Sequence, residues 1–299
     1  ENAALKAKLK VLVEKVEELR LIKDRHPILG WPLIRGTVNF LSSMVNGVKA
    51  LMYSADFYPE EETTEPSKFE QWLDRTFSNK KLEGLIVGLS VLLGIGLSIF
   101  LFLVLPTFLT GGLLHFFPDF PMWGRNLIEG VLKVAIFLLY LIFCSKQKDI
   151  YRVFQYHGAE HKCINCVEHG HPLTVKYVRE SSKEHKRCGT SFILIVMVIS
   201  ILMFMVIRVD TIWMRMLSRI ILVPVIAGIS YEVLQCAGRS NSKFMDLVSR
   251  PGMWMQGLTT KEPDDSMIEV AIAATEAVFD WREYLTENFP GWEKKLEES

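Results

Sequence analysis

The stretch FQYHGAEHKCINCVEHGHPLTVKYVRESSKEHKRCGTS, residues 154–191, is the part of the sequence around which the rest of the chain is organised. It holds five of the seven histidines and three of the five cysteines of the 299-residue chain. Strongly apolar segments precede and follow it. Because metal-binding side chains are this dense between hydrophobic helices, the sequence predicts a metal site held at a membrane surface.

The apolar segments around this stretch predict the fold. Four of them approach or exceed the roughly 20 residues that a helix needs to cross about 30 Å of hydrocarbon. They are residues 84–105, 126–144, 192–207 and 216–236. The fourth contains Arg219, Pro224 and Glu232, so a buried helical hairpin is the alternative for the last two. We therefore predict an all-α, polytopic membrane protein with about four membrane-embedded helices.

The distribution of basic residues predicts how the chain crosses the membrane. The connection between the second and third segments, 145–191, holds nine Lys and Arg residues, whereas 106–124 holds none. Basic residues accumulate in the connections that stay in the cytoplasm. The stretch 154–191 and both termini are therefore expected on the cytoplasmic side of the cell membrane, where thiols remain reduced.

The first 22 residues show a heptad pattern. Five apolar side chains are spaced 4, 3, 4 and 3 residues apart, namely Leu5, Leu9, Leu12, Val16 and Leu19. This spacing is typical of a helix that packs against a partner helix, so a homo-oligomer is expected. A solvated helix or an appended segment explains the pattern equally well.

Two further helices are predicted outside the four spans. Residues 23–58 alternate apolar and polar side chains at helical spacing, as in a helix that lies in the membrane interface. Gly, Ser and Pro in 238–260 predict a loop, anchored by Met253 and Trp254. A C-terminal helix follows, with Thr259 or Thr260 as its cap. Its predicted buried face consists of Ile268, Ile272, Val278 and Trp281.

These features divide the chain into seven segments. They are a heptad helix (1–22), an amphipathic interfacial helix (23–58), a polar connection (59–83), a first pair of membrane helices (84–145), a cytoplasmic His/Cys loop (146–191), a second pair of membrane helices (192–238) and a cytoplasmic C-terminal segment with a helix (239–299). The formal net charge is zero and 49% of the residues are hydrophobic. The lipid bilayer is therefore a predicted partner and nucleic acid is not, while no protein partner is identified.

The central stretch contains an H-x-x-E-H motif made of His157, Glu160 and His161. On a helix, histidines four residues apart lie on one face and can bind one metal ion. Glu160 can then act as a base toward a bound water molecule, as in zinc peptidases with this residue order. Gly158 lowers the helix propensity inside the motif, so the pattern alone is only moderately specific.

Further metal-binding side chains follow the motif. His185 and Cys188 form an H-x-x-C pair, and Zn²⁺ accepts such a mixture of nitrogen and sulfur in a tetrahedron. We predict a zinc site made of His157, His161, His185 and Cys188. The other candidates are Cys163, Cys166, His169 and His171. Without a metal, such histidines bind backbone carbonyls and such cysteines pack as small apolar residues.

Several motifs in this order resemble one bacterial family. They are WPLIRGTVNF (31–40), YHGAEHK (156–162), RCGTSF (187–192), YEVLQCAGR (231–239) and PGMWMQGLTTKEPDD (251–265). Over about residues 23–281 the chain is similar to the YqhQ-like membrane proteins, the domain of unknown function numbered 1385. The resemblance implies an integral membrane protein that depends on a metal, without an established reaction. It favours His157, Glu160, His161 and Cys188 over Cys163, His169 and His171.

The predicted ligand set decides which function is favoured. Four protein ligands fill a tetrahedral zinc site, whereas a catalytic zinc keeps one position open. We therefore favour a structural or scaffolding role in an oligomeric assembly, with a zinc-dependent membrane hydrolase that uses Glu160 as the first alternative. An oligomeric transporter or channel is the second, since Glu232 lies inside a predicted span, unless it pairs with Arg239 near the end of that span.

Overall fold

The structure is a computed structural model that describes residues 27–55, 80–117, 119–206, 212–240 and 242–297, and over these residues it is helical with no strand. The helices are α1 (Ile34–Ala55), α2 (Lys80–Ile99), α3 (Leu105–Leu114), α4 (Met122–Cys144), α5 (Lys148–Glu168), α6 (Val175–Glu180), α7 (Gly189–Val206), α8 (Ile212–Arg239), α9 (Lys243–Thr259), α10 (Asp265–Glu276), α11 (Trp281–Asn288) and α12 (Glu293–Glu297). A 3₁₀ turn precedes α1, and a π-helix, Phe100–Val104, joins α2 to α3. The predicted heptad helix (1–22) and most of the polar connection (59–83) lie outside the described residues.

Four helical segments are long and apolar enough to cross a membrane, which confirms the predicted fold; the first runs through α2, the π-helix and α3. The candidate spans are Gly88–Leu114, Met122–Cys144, Gly189–Val206 and Ile221–Arg239. The first extends beyond the predicted end at 105, because the chain remains helical past Pro106. The Thr110 hydroxyl donates to the Pro106 carbonyl oxygen at 2.8 Å. Both polar groups therefore have a hydrogen-bond partner inside the apolar segment. The chain is a multi-pass membrane protein.

Helix α7 lies at the centre of the bundle, where it packs against α4, α8 and α9. Helix α1 packs along α8, and the two backbones approach closely at Gly36 and Gly228. At this crossing Arg35 forms a bidentate pair with Glu232, with its Nε 2.8 Å from Oε1. The predicted pairing of Glu232 with Arg239 is therefore replaced by a pairing with α1.

Helices α5, α6, α10 and α11 form a separate core outside the spans. Its buried members are Cys163, Cys166, Val167, Leu173, Val178, Ile268, Trp281, Leu285 and Trp292. The segment 146–191, which the sequence suggested was a loop, is thus largely helical. The reason is burial, because one face of α5 packs against α10. This tertiary packing stabilises the helix, and the polar composition of α5 does not indicate it.

The C-terminal segment differs from the prediction in three respects. Residues 238–260 contain the helix α9, capped by the Ser242 hydroxyl, and not a loop. Thr259 ends that helix and the next one is capped by Asp264, whose carboxylate accepts from the Met267 amide at 3.0 Å. The side chain of Val278 is 68% exposed, because it follows the end of α10 and so leaves the buried face.

Candidate metal centre

Helix α5 places the two histidines of the H-x-x-E-H motif side by side. The ring centroids of His157 and His161 are 4.4 Å apart, because residues four apart share a helix face. Gly158 between them has a packing role, since a Cβ there would stand 2.1 Å from the carbonyl oxygen of Lys261. The chain leaving α9 therefore lies directly against α5. The glycine that weakened the helix prediction is what permits this contact.

Cys188, the residue before α7, brings a thiol to the two imidazoles. Its Sγ is 3.4 Å from His157 Nε2, and one donor atom from each of His157, His161 and Cys188 lies within 4.8 Å of the others. Cys188 and His161 are buried, while His157 is half-buried. Among the described residues, this is the one group of three His, Cys, Asp or Glu side chains that could hold a metal ion.

Backbone carbonyls fix the orientation of both rings. His157 Nδ1 is 2.9 Å from the Thr259 carbonyl oxygen, and His161 Nδ1 is 2.7 Å from that of Lys183. A carbonyl oxygen only accepts, so each Nδ1 carries the proton that it donates. This leaves Nε2 as the ligand atom of each neutral ring. Metal-binding histidines are usually held in this way by a hydrogen bond from the other ring nitrogen.

The surroundings of Cys188 favour its thiolate form. Burial alone would raise the pKa of the thiol, but its hydrogen bonds with His157, His161 and Thr190 lower that pKa to about 5. The Thr190 amide donates to Sγ at 3.4 Å. Burial acts to lower the pKa of His157, yet the hydrogen bond with Cys188 raises it overall. A thiolate is the form of cysteine that binds metals.

The structure does not bring His185 into this group. Its Nε2 is 3.1 Å from Glu168 Oε2, and its Nδ1 accepts from the Arg187 amide at 3.4 Å. The ring centroid of His185 is 5.9 Å from that of His161. Three of the four predicted ligands therefore converge, and the fourth is held by other groups.

Glu160, the predicted base, lies on the exposed side of α5 and is not a member of the three-residue group. Its charge contributes to raising the pKa of His157, after the hydrogen bonds of that ring with Cys188 and Thr259. Its assignment as a base stays a prediction.

The remaining candidate ligands lie elsewhere. Cys163 and Cys166 are core residues, and burial raises the pKa of their thiols to about 12 and about 11. His171 stacks on Tyr177, with ring centroids 5.2 Å apart. His169 is exposed and its Nδ1 is 2.7 Å from the Asn165 carbonyl oxygen. All four residues therefore lie outside the group formed by His157, His161 and Cys188.

Gln256 is a residue of the centre that the sequence did not single out. Its fully buried amide accepts from the His185 amide at 2.9 Å and donates to the His185 carbonyl oxygen and to Ser191 Oγ. These bonds hold the segment that carries Cys188 against α9. The sequence signal for Gln256 was its position inside the motif PGMWMQGLTTKEPDD, five residues before Lys261.

Comparison with known proteins agrees with the motifs. The sequence pattern of the family described as "Protein of unknown function (DUF1385)" matches residues 31–281. The chain is also 38% identical, over 254 residues, to a Bacillus subtilis protein named "Uncharacterized protein YqhQ". That match covers 81% of this chain and 74% of the relative. No solved structure matches significantly. The chain therefore belongs to the DUF1385 family of proteins of unknown function.

Proposed function

We propose that this chain is a zinc-dependent membrane hydrolase whose metal is bound by His157, His161 and Cys188. The observation that carries the proposal is the convergence of these three donors, while the predicted fourth ligand, His185, is held by Glu168. Three protein ligands leave one of the four positions of a tetrahedral zinc ion open, which is the arrangement of catalytic zinc. This reverses the preference for a structural role, which depended on a fourth protein ligand.

One donor–donor distance and the donor types support zinc. Bonds of about 2.0–2.1 Å to nitrogen and about 2.3 Å to sulfur place the N and S donors of a tetrahedron about 3.5 Å apart. The distance of 3.4 Å between His157 Nε2 and Cys188 Sγ agrees with this. A mixture of two imidazoles and a thiolate also suits zinc better than it suits magnesium or calcium, which prefer oxygen.

Each residue has a role in this proposal. His157 and His161 would bind the ion through Nε2. The carbonyl oxygens of Thr259 and Lys183 hold the two rings in this orientation through hydrogen bonds with Nδ1. Cys188 would supply negative charge to the ion, and Glu160 would serve as the base toward a water molecule at the open position. A zinc ion with an open position would supply the activation of that water.

A structural zinc is the second candidate, favoured by the number of elements that meet at the centre. The histidines come from α5, the thiol precedes α7, and the carbonyl of Thr259 ends α9. A metal there would fasten these helices together. In that case His185 turns from Glu168 and becomes the fourth ligand.

The coordination sphere distinguishes the two candidates. X-ray absorption on the purified, zinc-loaded protein should show one sulfur and two imidazole ligands with a fourth ligand that is light and not imidazole. His185→Ala should keep full zinc content, whereas His161→Ala should lose it, with exposed His169→Ala as the matched control. Three imidazole ligands, together with zinc loss in His185→Ala, would establish the structural candidate and end the hydrolase proposal.

The position of the centre in the cell is also part of the proposal. The nine basic residues of 145–191 support placing the centre on the cytoplasmic side of the cell membrane, where Cys188 stays reduced. The heptad pattern of residues 1–22 supports a homo-oligomer.

A further inference from the structure

Helix α9 exposes a row of large apolar side chains. Phe244, Leu247 and Trp254 are 68%, 59% and 63% exposed, and Pro251 between them is exposed as well. Their spacing of 3, 4 and 3 residues places all four on one face of the helix. We name these four residues the α9 apolar face. Three large apolar side chains in one row are a feature of surfaces that contact a membrane or a partner.

The opposite side of α9 is firmly packed, so the helix does not rotate to bury this face. Ser249, Gly252 and Gln256 are buried there, and a Cβ at Gly252 would stand 2.8 Å from Ser191 Cβ. Gln256 adds hydrogen bonds to Ser191 Oγ at 2.7 Å and to His185. The α9 apolar face is therefore held outward by the packing of its own helix.

The position of α9 is set by two membrane spans. It begins directly after Ser242, which follows the end of α8 at Arg239, and it contacts Ser191 in the first turn of α7. Helix α8 ends and α7 begins at the same end of the bundle, because Arg187 Nε, just before α7, donates to the Gly238 carbonyl oxygen at the end of α8 at 3.3 Å. The α9 apolar face therefore belongs to a helix that lies at the end of the bundle where α7 begins and α8 ends.

Basic side chains border this face. Lys243 and Arg250 are exposed, and helical geometry places both next to Trp254 on the side away from Phe244. A helix with an apolar face, bordering basic residues and a tryptophan is suited to the boundary between acyl chains and anionic headgroups. Charge and hydrophobicity thus both match a lipid surface.

We propose that α9 is an in-plane membrane helix, whose apolar face enters the leaflet at which α7 begins. Phe244 and Leu247 reach the acyl chains, Trp254 lies at headgroup level, and Lys243 and Arg250 contact lipid phosphates. Because the same helix ends at Thr259, whose carbonyl holds His157, the bilayer surface sets the position of the metal centre. The depth of α9 does not depend on which metal the centre binds.

Spin labels test this placement in the full-length protein in lipid nanodiscs. Phe244→Cys, Leu247→Cys and Trp254→Cys are labelled one at a time, after the accessible thiols Cys144 and Cys236 are replaced by serine. Relaxation by oxygen, which concentrates in lipid, is compared with relaxation by a water-soluble nickel chelate. Val223→Cys, an exposed position inside a span, and Glu269→Cys, an exposed position on α10, give the lipid and water references.

The expected result is a preference for oxygen at 244 and 247 that approaches the value at 223, with 254 intermediate. Access to the nickel chelate equal to that at 269 would overturn the proposal. So would protection from both reagents together with spin–spin broadening that grows with protein content, because that pattern means contact with a second copy. All five positions are exposed, so the labels do not disturb a core.

Discussion

Gly158 and Lys261 are in direct contact, and a Cβ at position 158 would stand 2.1 Å from the Lys261 carbonyl oxygen. The Lys261 amide also donates to the Phe154 carbonyl oxygen at 2.9 Å, so two backbones are joined one turn before His157. This contact keeps the end of α9 against α5. The Thr259 carbonyl reaches His157 because of it.

Gly158→Ala should therefore damage both stability and metal binding. The added methyl group meets backbone that does not yield, and overpacking of this kind costs about 1–3 kcal/mol. Thermal unfolding in detergent and zinc content after dialysis measure the two effects. Gly257→Ala is the matched control, since a Cβ there meets nothing within 4 Å and alanine favours a helix by about 1 kcal/mol. Equal behaviour of the two variants would contradict this account of the glycine.

In metal-free protein, Cys188 should titrate far below an ordinary cysteine. Its hydrogen bonds with His157, His161 and Thr190 outweigh burial and hold its pKa at about 5, below the ordinary 9.0. A depressed pKa stabilises the fold fully above pH 9.0, and that contribution is lost as the pH falls toward 5. The difference in ultraviolet thiolate absorbance between wild type and Cys188→Ser should show the transition. Cys166→Ser should show no thiolate difference at neutral pH, because burial raises the pKa of Cys166 to about 11.

Glu160→Gln should separate metal binding from activity. The residue is exposed and outside the converging group, so zinc content and thermal stability should stay at wild-type values. Hydrolysis of a panel of amide and ester substrates by the zinc-loaded protein should fall at least about 100-fold, the usual contribution of a general base. Unchanged hydrolysis would remove Glu160 from the proposed mechanism, and loss of zinc would make it part of the metal's support.

An open metal position should also be visible directly. The cobalt-substituted protein should change its visible spectrum when azide is added, because azide occupies a position that no side chain fills. His185→Ala should show the same change. A spectrum insensitive to azide in both proteins would contradict a three-ligand centre.

The pairing of Arg35 with Glu232 should be measurable as a coupling between α1 and α8. Glu232→Gln should lower the melting temperature, because it leaves the Arg35 guanidinium without its bidentate partner. Exchanging the two residues, in Arg35→Glu with Glu232→Arg, should recover part of the loss. Arg239→Gln serves as the control and should have a smaller effect. A larger effect at Arg239 would favour the pairing that the sequence first suggested.

The spans could be predicted from the sequence because long apolar runs carry their own signal. Residues 126–144 and 192–207 lie within or next to the helices Met122–Cys144 and Gly189–Val206. Helix α9 could not be predicted in this way. Pro251 and Gly252 argue locally against a helix, and the contacts of Gly252 with Ser191 that outweigh this come from a distant segment.

Only the part of the candidate centre that depends on local spacing or on the family motifs could be predicted from the sequence. The spacing of His157 and His161 follows from helix geometry alone, and the family motifs favoured Cys188. No local pattern shows that His185 faces Glu168, because that contact depends on how the non-helical residues before α7 fold back on α5. The contact of His157 with the Thr259 carbonyl oxygen could not be predicted from the sequence either, because every residue has a backbone carbonyl.

The donors of the centre are distributed along the chain in a way that bears on its synthesis. His157 and His161 belong to α5, whereas Cys188 directly precedes α7. All three donors could hold an ion only after the ribosome has passed residue 188 and Cys188 has reached α5. If the proposed metal binds, its acquisition would be a late event in biogenesis, and a chain that stops before Cys188 would lack one of the three donors.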